Sequence, residues 1–311
     1  MTLFLLAHLC YCQAETPTVL IVCNSVDLPA SEVLTSAFAA IGLKARVVSA
    51  GEVDMDGAEI LIILGGPDAY EGVGAISSAV LNDSDEPWLR EENGSLLIYL
   101  GLYEGVEAVV LAGHTRTETL FAARLFAKAG FAGSSLSAYA KTLQSRGIEA
   151  GQWTNYTVTI LSQFGNSSGY MRYVVEEGSL GGEPALVLTQ TVVNVYAPNS
   201  TMENRAYYLQ NGSVCSVARI ESPALSYETN LTCEPWSTLP ENFTAEPRVL
   251  AKGVVEKRSV EAGEFLCAKF GTPYSVVWVS PEVPLTGIVE LYEIQPDGSL
   301  IVMSLNGFSW G

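Results

Sequence analysis

The sequence contains few basic residues and almost no histidine. Of its 311 residues, only 16 are Lys or Arg, against 34 Asp and Glu, which gives a net charge of −18. A surface this negative repels phosphate backbones and anionic lipid headgroups, which disfavours binding to nucleic acids and to membrane surfaces. His8 and His114 are the only two histidines. A metal site built from several imidazoles is therefore excluded.

Long apolar runs are also missing. A membrane-spanning helix takes about 20 apolar residues, and every long run here is interrupted by charges, Gly or Pro. The apolar run Leu3–Leu9 is followed by small and polar residues up to Ala14, although no Lys or Arg precedes it. This pattern is typical of a secretory signal peptide, so residues 1–14 are predicted to be removed and the protein to be extracellular or on the cell surface.

Acceptor motifs for N-linked glycans are abundant. Eight of the twelve Asn begin an Asn-x-Ser/Thr motif, whereas chance would give about two. The eight are Asn82, Asn93, Asn155, Asn166, Asn199, Asn211, Asn230 and Asn242. We predict a secreted glycoprotein with these asparagines on its surface.

Cysteines are few outside the predicted signal peptide. Cys23 ends an apolar strand pattern and is predicted to be a small buried hydrophobe. Cys215 and Cys233 flank a loop that contains the Asn230 motif, and an oxidising compartment makes them the favoured disulfide. Cys267 could pair with either of them, because spacing alone does not fix connectivity.

The first half of the chain alternates strand and helix patterns. Predicted strands are Val19–Val22, Ala45–Ser49, Glu59–Leu64, Ser95–Leu100 and Val106–Ala112. Helices are predicted over Glu32–Ile41 and from a capping box at Thr115 and Glu118 through Ala129. This order predicts a three-layer α/β domain with a mainly parallel sheet over residues 15–130.

The second half changes to a period of two. Tyr156, Val158 and Ile160 alternate with threonines, and similar runs separated by turn residues follow to the end of the chain. Residues 151–311 are predicted to form an antiparallel β domain, either a sandwich or a strongly curved sheet. Residues 131–150 are predicted to be a linker with a helix over Ser135–Ser145.

Two stretches resemble known families. The strand and Gly-Gly-Pro turn at 60–69, with the strand, Ala-Gly turn and alanine-rich helix at 106–123, resemble archaeal S-layer proteins in order and spacing. This resemblance covers residues 18–129 and implies a structural part of a glycoprotein coat, with no catalytic residues. Against that family, this sequence is short for a full S-layer subunit and no C-terminal anchor is predicted in it, so an accessory surface protein is the expectation. Residues 278–289 and the closing strand are more faintly similar to lipoprotein-like curved-sheet domains, some of which hold an apolar ligand.

Several motifs suggest other chemistry and fit it poorly. Residues 165–169 match the Gly-x-Ser-x-Gly of hydrolase nucleophile elbows, but a strand pattern follows where a helix is needed. The glycines at 72–74 lie too far past the strand for a dinucleotide fingerprint. Asp54, Asp56 and Glu59 form an acidic cluster that is a weak candidate for calcium. His114 ends a predicted parallel strand, with Arg116 and Glu118 beside it as polar residues of the first helical turn.

Three functions are consistent with these patterns. The first is a structural or interaction protein at the archaeal cell surface, S-layer-like or S-layer-associated, which contacts other surface proteins or copies of itself. The second is an extracellular binding module that holds an apolar or lipid ligand in the β domain. The third is a surface hydrolase that uses His114 with an acidic partner. The first is favoured, so we expect neither enzymatic activity nor a cofactor, apart from the weak calcium candidate.

Overall fold

The computed structural model describes residues 18–140, 142–193, 195, 199–235 and 246–311. The predicted signal peptide and Asn242 lie outside the described residues. The described part is mostly β, and its 17 strands belong to one mixed sheet. None of its helices is long and apolar enough to cross a membrane.

The first part of the chain contains five strands and four α-helices. In chain order these are β1 (Thr18–Val22), α1 (Leu28–Ala40), β2 (Lys44–Val48), β3 (Ile60–Leu64), α2 (Val73–Val80), α3 (Asp85–Glu91), β4 (Ser95–Tyr103), β5 (Val106–Gly113) and α4 (Arg116–Lys128). Short 3₁₀ helices lie at Ala50–Glu52, Ser135–Tyr139 and Gln144–Arg146.

The second part consists of strands. They are β6 (Gln152–Ser162), β7 (Gly165–Leu180), β8 (Glu183–Val193), β9 (Thr201–Leu209), β10 (Ser213–Ser222), β11 (Leu225–Glu228), β12 (Thr232–Pro235), β13 (Arg248–Val260), β14 (Gly263–Gly271), β15 (Ser275–Val279), β16 (Ile288–Ile294) and β17 (Leu300–Trp310).

Strands β1 and β3 are apolar along almost their whole length because helices cover both faces of the sheet here. Val19 and Ile21 of β1 pack in the same core cluster as residues of α1 and α4. The alternate residues Leu20 and Val22 pack on the other face, with residues of α2 and α3. The period of two along a strand therefore divides one apolar run between two cores.

The expected mainly parallel sheet is found only in part. Strand β1 pairs in parallel with β2 and β3, and β3 pairs in parallel with β5. Strand β4, however, is antiparallel to β5. The two-residue turn between them has positive φ at Glu104 (51°) and Gly105 (84°), the geometry of a tight hairpin. A connection this short cannot make the crossover that parallel strands need.

One continuous sheet connects the two halves of the chain. Strand β13 pairs antiparallel with β4, with Arg248 opposite Leu100 and Val254 opposite Ser95. From β13 the pairing continues through β14, β15, β16 and β17 to β6, and then through β7, β8 and β9 to β10. Strands β11 and β12 both pair with the far side of β10. Strands that are far apart in this pairing order, such as β8 and β14, share one buried core, so the sheet is strongly curved.

The curved sheet encloses its own core. Buried side chains of β6, β8, β14, β15, β16 and β17 form one cluster that includes Tyr156, Trp278 and Leu305. No helix of the described chain contributes to that cluster, so the helix wrapped by the sheet in lipoprotein-like domains has no counterpart in it.

The predicted helix over Ser135–Ser145 is wrong. The segment forms two short 3₁₀ helices instead. The hydroxyl groups of Ser134 and Ser137 donate to backbone carbonyls three residues earlier, at 2.7 and 2.8 Å. Ala140, with φ −79° and ψ 68°, lies outside the helical region and ends the first of these 3₁₀ helices.

Candidate functional site

A crevice lies where the loops after β1 and β3 diverge. Helix α1 follows β1 onto one face of the sheet, whereas α2 follows β3 onto the other face. Open α/β sheets bind ligands at such a switch point, beyond the carboxyl ends of the strands. The crevice has a volume of about 480 Å³ and is lined by residues 24–27, 65–70, 89–90 and 113–119 in part.

His114 lies at the rim of this crevice, at the end of β5, and is exposed. Its backbone N–H donates to the carbonyl of Ser95 (2.9 Å), and its ring Nδ1 lies 3.1 Å from the carbonyl oxygen of Leu89. The ring therefore donates through Nδ1 to a main-chain acceptor. Among the described residues no carboxylate or hydroxyl is hydrogen-bonded to it, so the hydrolase hypothesis gains no acid–base pair.

The neighbouring polar residues serve the helix. Thr115 caps α4, and its backbone N–H and hydroxyl both donate to Oε2 of Glu118, the former at 2.8 Å. The predicted capping box is confirmed. The Glu118 carboxylate is bonded to Thr115 at the helix terminus, so it does not serve as an acidic partner for His114.

Asp27 is a site residue that the sequence analysis missed. It is 6 % exposed, lines the crevice and precedes α1. Burial raises the pKa of its carboxyl group, and a hydrogen bond from the side chain of Asn24 opposes that rise. Oδ1 of Asn24 in turn accepts the backbone N–H of Val26 and of Asp27, each at 2.9 Å. A polar Asn and Asp directly after a buried strand were the available signal.

Two contacts hold the walls of the crevice together. The backbone N–H of Ser25, after β1, donates to Oε2 of Glu71, after β3, at 3.0 Å. Arg90 of α3 pairs with Asp68 at 3.0 Å, and this contact is the main cause that raises the pKa of the guanidinium. The crevice is thus crossed by two contacts between its loops and contains one buried carboxyl group, that of Asp27.

Most of the predicted glycosylation sites are accessible. Of the seven sequon asparagines in the described part, six are exposed: Asn82, Asn93, Asn166, Asn199, Asn211 and Asn230. Asn155 differs because it lies inside β6, flanked by Gly307 of β17 and Arg172 of β7. Its Oδ1 is buried without a hydrogen-bond partner in the described chain.

The predicted disulfide is confirmed. Cys215 of β10 and Cys233 of β12 lie directly opposite each other and are bonded. Cys23 is buried beside β1, as predicted. Cys267, which could have paired with Cys215 or Cys233, is a free thiol in the core of the curved sheet. Burial raises the pKa of the Cys267 thiol to about 12, which makes it a poor nucleophile.

The other motifs singled out in the sequence are not assembled into sites. Asp54, Asp56 and Glu59 are all exposed, and Oδ1 of Asp54 accepts the backbone N–H of Asp56 at 3.0 Å. Within the described ranges no three His, Cys, Asp or Glu side chains are grouped so as to hold a metal ion. Ser167 of the Gly-x-Ser-x-Gly stretch lies in β7, and its hydroxyl donates to the carbonyl of Val195 at 3.1 Å.

The concave side of the curved sheet is filled by side chains. Tyr156 and Leu305 are completely buried there, and Trp278 is 5 % exposed. An apolar ligand held by the β domain, as in the second hypothesis, would need the space that these side chains occupy.

No protein-family model and no curated protein sequence matches this chain.

Proposed function

We propose that this chain is a secreted, N-glycosylated archaeal cell-surface protein with a structural or interaction role, S-layer-like or S-layer-associated. One observation carries the proposal. In a chain that is 48 % hydrophobic, six of the seven sequon asparagines in the described part lie exposed in turns or at strand ends. Acceptor motifs used by an oligosaccharyltransferase have to be at the surface, and random motifs in an apolar chain would fall inside strands more often.

Five of the sequons in the described part lie beside α3 or at the ends of the β6–β9 ladder. Asn82 and Asn93 flank α3, on the opposite side of the sheet from α1 and α4. Asn166 and Asn199 lie at one end of the β6–β9 ladder, and Asn211 lies at its other end. Helices α1 and α4 contain no sequon. Their outer face is the surface through which the protein would contact other coat proteins or copies of itself.

The resemblance to archaeal S-layer proteins supports the same role. The Gly-Gly-Pro turn follows β3 directly, and the Ala-Gly turn ends β5 before α4. We therefore propose that residues 15–130 are a three-layer α/β unit of the S-layer type. The single disulfide of the described chain is consistent with an oxidising, extracellular location.

Glycopeptide mass spectrometry of the protein from its native cell envelope tests the proposal. Glycans are expected on the six exposed asparagines and not on Asn155, because the Asn155 amide is held within a strand. Accordingly, Asn93→Gln should remove the mass of one glycan, while Asn155→Gln should leave the glycan mass unchanged. Unmodified asparagines on a protein recovered from the cytosol would overturn the proposal.

A further inference from the structure

A second cleft lies between the helices and the end of the curved sheet. It has a volume of about 570 Å³, within the range of small-molecule sites. One wall is formed by α1 and α4, and the other by the segment 144–149, the β15–β16 connection and Trp310. Apolar groups cover much of both walls: Val33, Ala37, Ala40, Ala127, Ile148 and Leu285.

The charges in this cleft differ in sign from those of the whole chain. Arg124, Lys128 and Arg146 line it, together with two carboxylates, Glu149 and Glu282. These side chains carry one net positive charge, whereas the chain as a whole carries −18. A local positive charge in an acidic protein concentrates small anions from solution.

Lys128 is fixed in position by the opposite wall. It is the last residue of α4, and its Nζ donates to the carbonyl oxygens of Pro281 (3.4 Å) and Val283. Its Nζ also lies 5.4 Å from the centre of the Trp310 ring. An ammonium has three N–H donors, so two carbonyls leave one for a ligand.

Neither Lys128 nor Arg124 belongs to an ion pair in the described part of the chain. Burial with no anionic partner lowers the pKa of Lys128 to about 8. A partly buried cation of this kind gains most from an anion that enters beside it, because the anion replaces the water that burial has removed.

We propose that this cleft binds a small organic carboxylate with an apolar body. The carboxylate accepts from Lys128 and Arg124, and the hydrocarbon part packs against Ala37, Ile148 and the ring of Trp310. Charge-assisted bonds to a carboxylate are about twice as strong as neutral ones, which gives the charged ligand its advantage over a neutral analogue. This ligand site is separate from the filled core of the curved sheet. It opens on the α1 and α4 side of the molecule and goes beyond the contact role proposed for that face.

The proposal predicts a pH dependence. A bound carboxylate favours the charged form of Lys128. Affinity for the carboxylate should therefore fall as pH rises from 7 to 9.5, through the pKa of about 8 that Lys128 has in the cleft without ligand. The other charged groups facing the ammonium are Arg124 of α4, Arg146 and Glu149 of the following segment, and Glu282 of the β15–β16 connection. Arginine and glutamate do not ordinarily titrate in this window, so the loss of affinity reports Lys128.

Titration calorimetry of the full chain with decanoate, and with decanol as the neutral analogue, provides the test. Decanoate should bind about tenfold more tightly than decanol at pH 7 and about tenfold more weakly at pH 9.5 than at pH 7. Lys128→Met should abolish the preference for decanoate. Lys257→Met removes an exposed lysine of β13 that pairs with Glu264 of β14. It is the matched control and should have no effect.

Arg124→Gln keeps the test decisive if Lys128→Met does not fold. Arg124 is exposed, so we expect its replacement to leave the fold intact. It should reduce decanoate affinity several-fold without changing decanol binding. Absence of decanoate binding, equal binding of decanoate and decanol, or unchanged affinity in Arg124→Gln would each overturn the proposal.

Discussion

Gly74 lies at the start of α2, where a Cβ atom would stand 2.3 Å from the carbonyl oxygen of Pro67. Alanine is the better helix former by about 1 kcal/mol, but here its methyl group would overlap backbone that cannot move independently. We expect Gly74→Ala to lower the free energy of unfolding by about 1–3 kcal/mol. Urea unfolding followed by circular dichroism measures this change.

Gly51 supplies the control for that experiment. It lies in the 3₁₀ helix Ala50–Glu52, and an added Cβ would have nothing within 4 Å. Gly51→Ala should therefore change stability by less than about 0.5 kcal/mol. If both variants behave alike, the close approach of Gly74 to Pro67 is not a constraint on the Gly-Gly-Pro turn.

Predictions made from residue types are confirmed where the interaction involves only a few named side chains. The capping box at Thr115 and Glu118 and the disulfide between Cys215 and Cys233 are both present. Asn155 shows the limit of such reasoning. Its motif is intact, but the alternation that turns Tyr156 inward does not tell whether neighbouring strands cover the opposite face. Asn155 is flanked by β7, the next strand along the chain, and by β17, which lies near the other end of the chain.

At the scale of elements, β10, β11 and β12 form one edge of the described sheet. Strands β11 and β12 each contain only four residues, and the disulfide ties β12 to β10. The disulfide joins residues that are 18 positions apart, and closing a loop of that length stabilises a protein by about 3 kcal/mol. Replacing both cysteines by alanine should therefore speed hydrogen exchange in β10–β12, while β1, β3 and β5 keep their protection. Mass-spectrometric hydrogen exchange resolves the two regions.

A neighbouring cross-strand pair provides the comparison. Ser216 and Thr232 face each other one position along the same ladder, and their hydroxyl oxygens lie 3.3 Å apart. Alanine at both positions should leave exchange in this edge almost unchanged, because the bond is exposed. Equal exchange in the cysteine variant and in the unmodified protein would show that the ladder itself holds the edge.

The positions of the strands along the chain were predicted better than the strands with which they pair and the direction of that pairing. Apolar runs located β3, β4 and β5 within a few residues, because a buried strand needs apolar side chains wherever it pairs. Direction was missed at β4, although Glu104–Gly105 between two apolar runs was a readable hairpin signal. In the crevice, too, positions along the chain were predicted better than contacts between distant segments. His114 was placed at a strand end, but Asp27 was missed because its burial depends on the loops after β1 and β3 meeting.

At the scale of the whole molecule, the net charge of −18 opposes contact between copies. If the protein packs into a coat with itself, cations have to screen that repulsion, since the Debye length falls from about 30 Å at 0.01 M to about 3 Å at 1 M salt. Sedimentation velocity should show monomers in 10 mM NaCl and larger species in 1 M NaCl. Dilution of the salt should reverse the association, and irreversible species would indicate aggregation instead.

The pairing of β13 with β4 has a consequence for how the protein is made. The chain between Tyr103 and Arg248 is translated after β4 and before its partner, a stretch that takes about 7–30 s at ordinary rates of synthesis. Throughout that interval the nascent α/β region exposes the apolar hydrogen-bonding edge of Leu96–Leu100. Such an edge invites pairing with another chain. Until β13 has been made, a chaperone that covers this edge, or a chain that stays unfolded, would prevent such pairing.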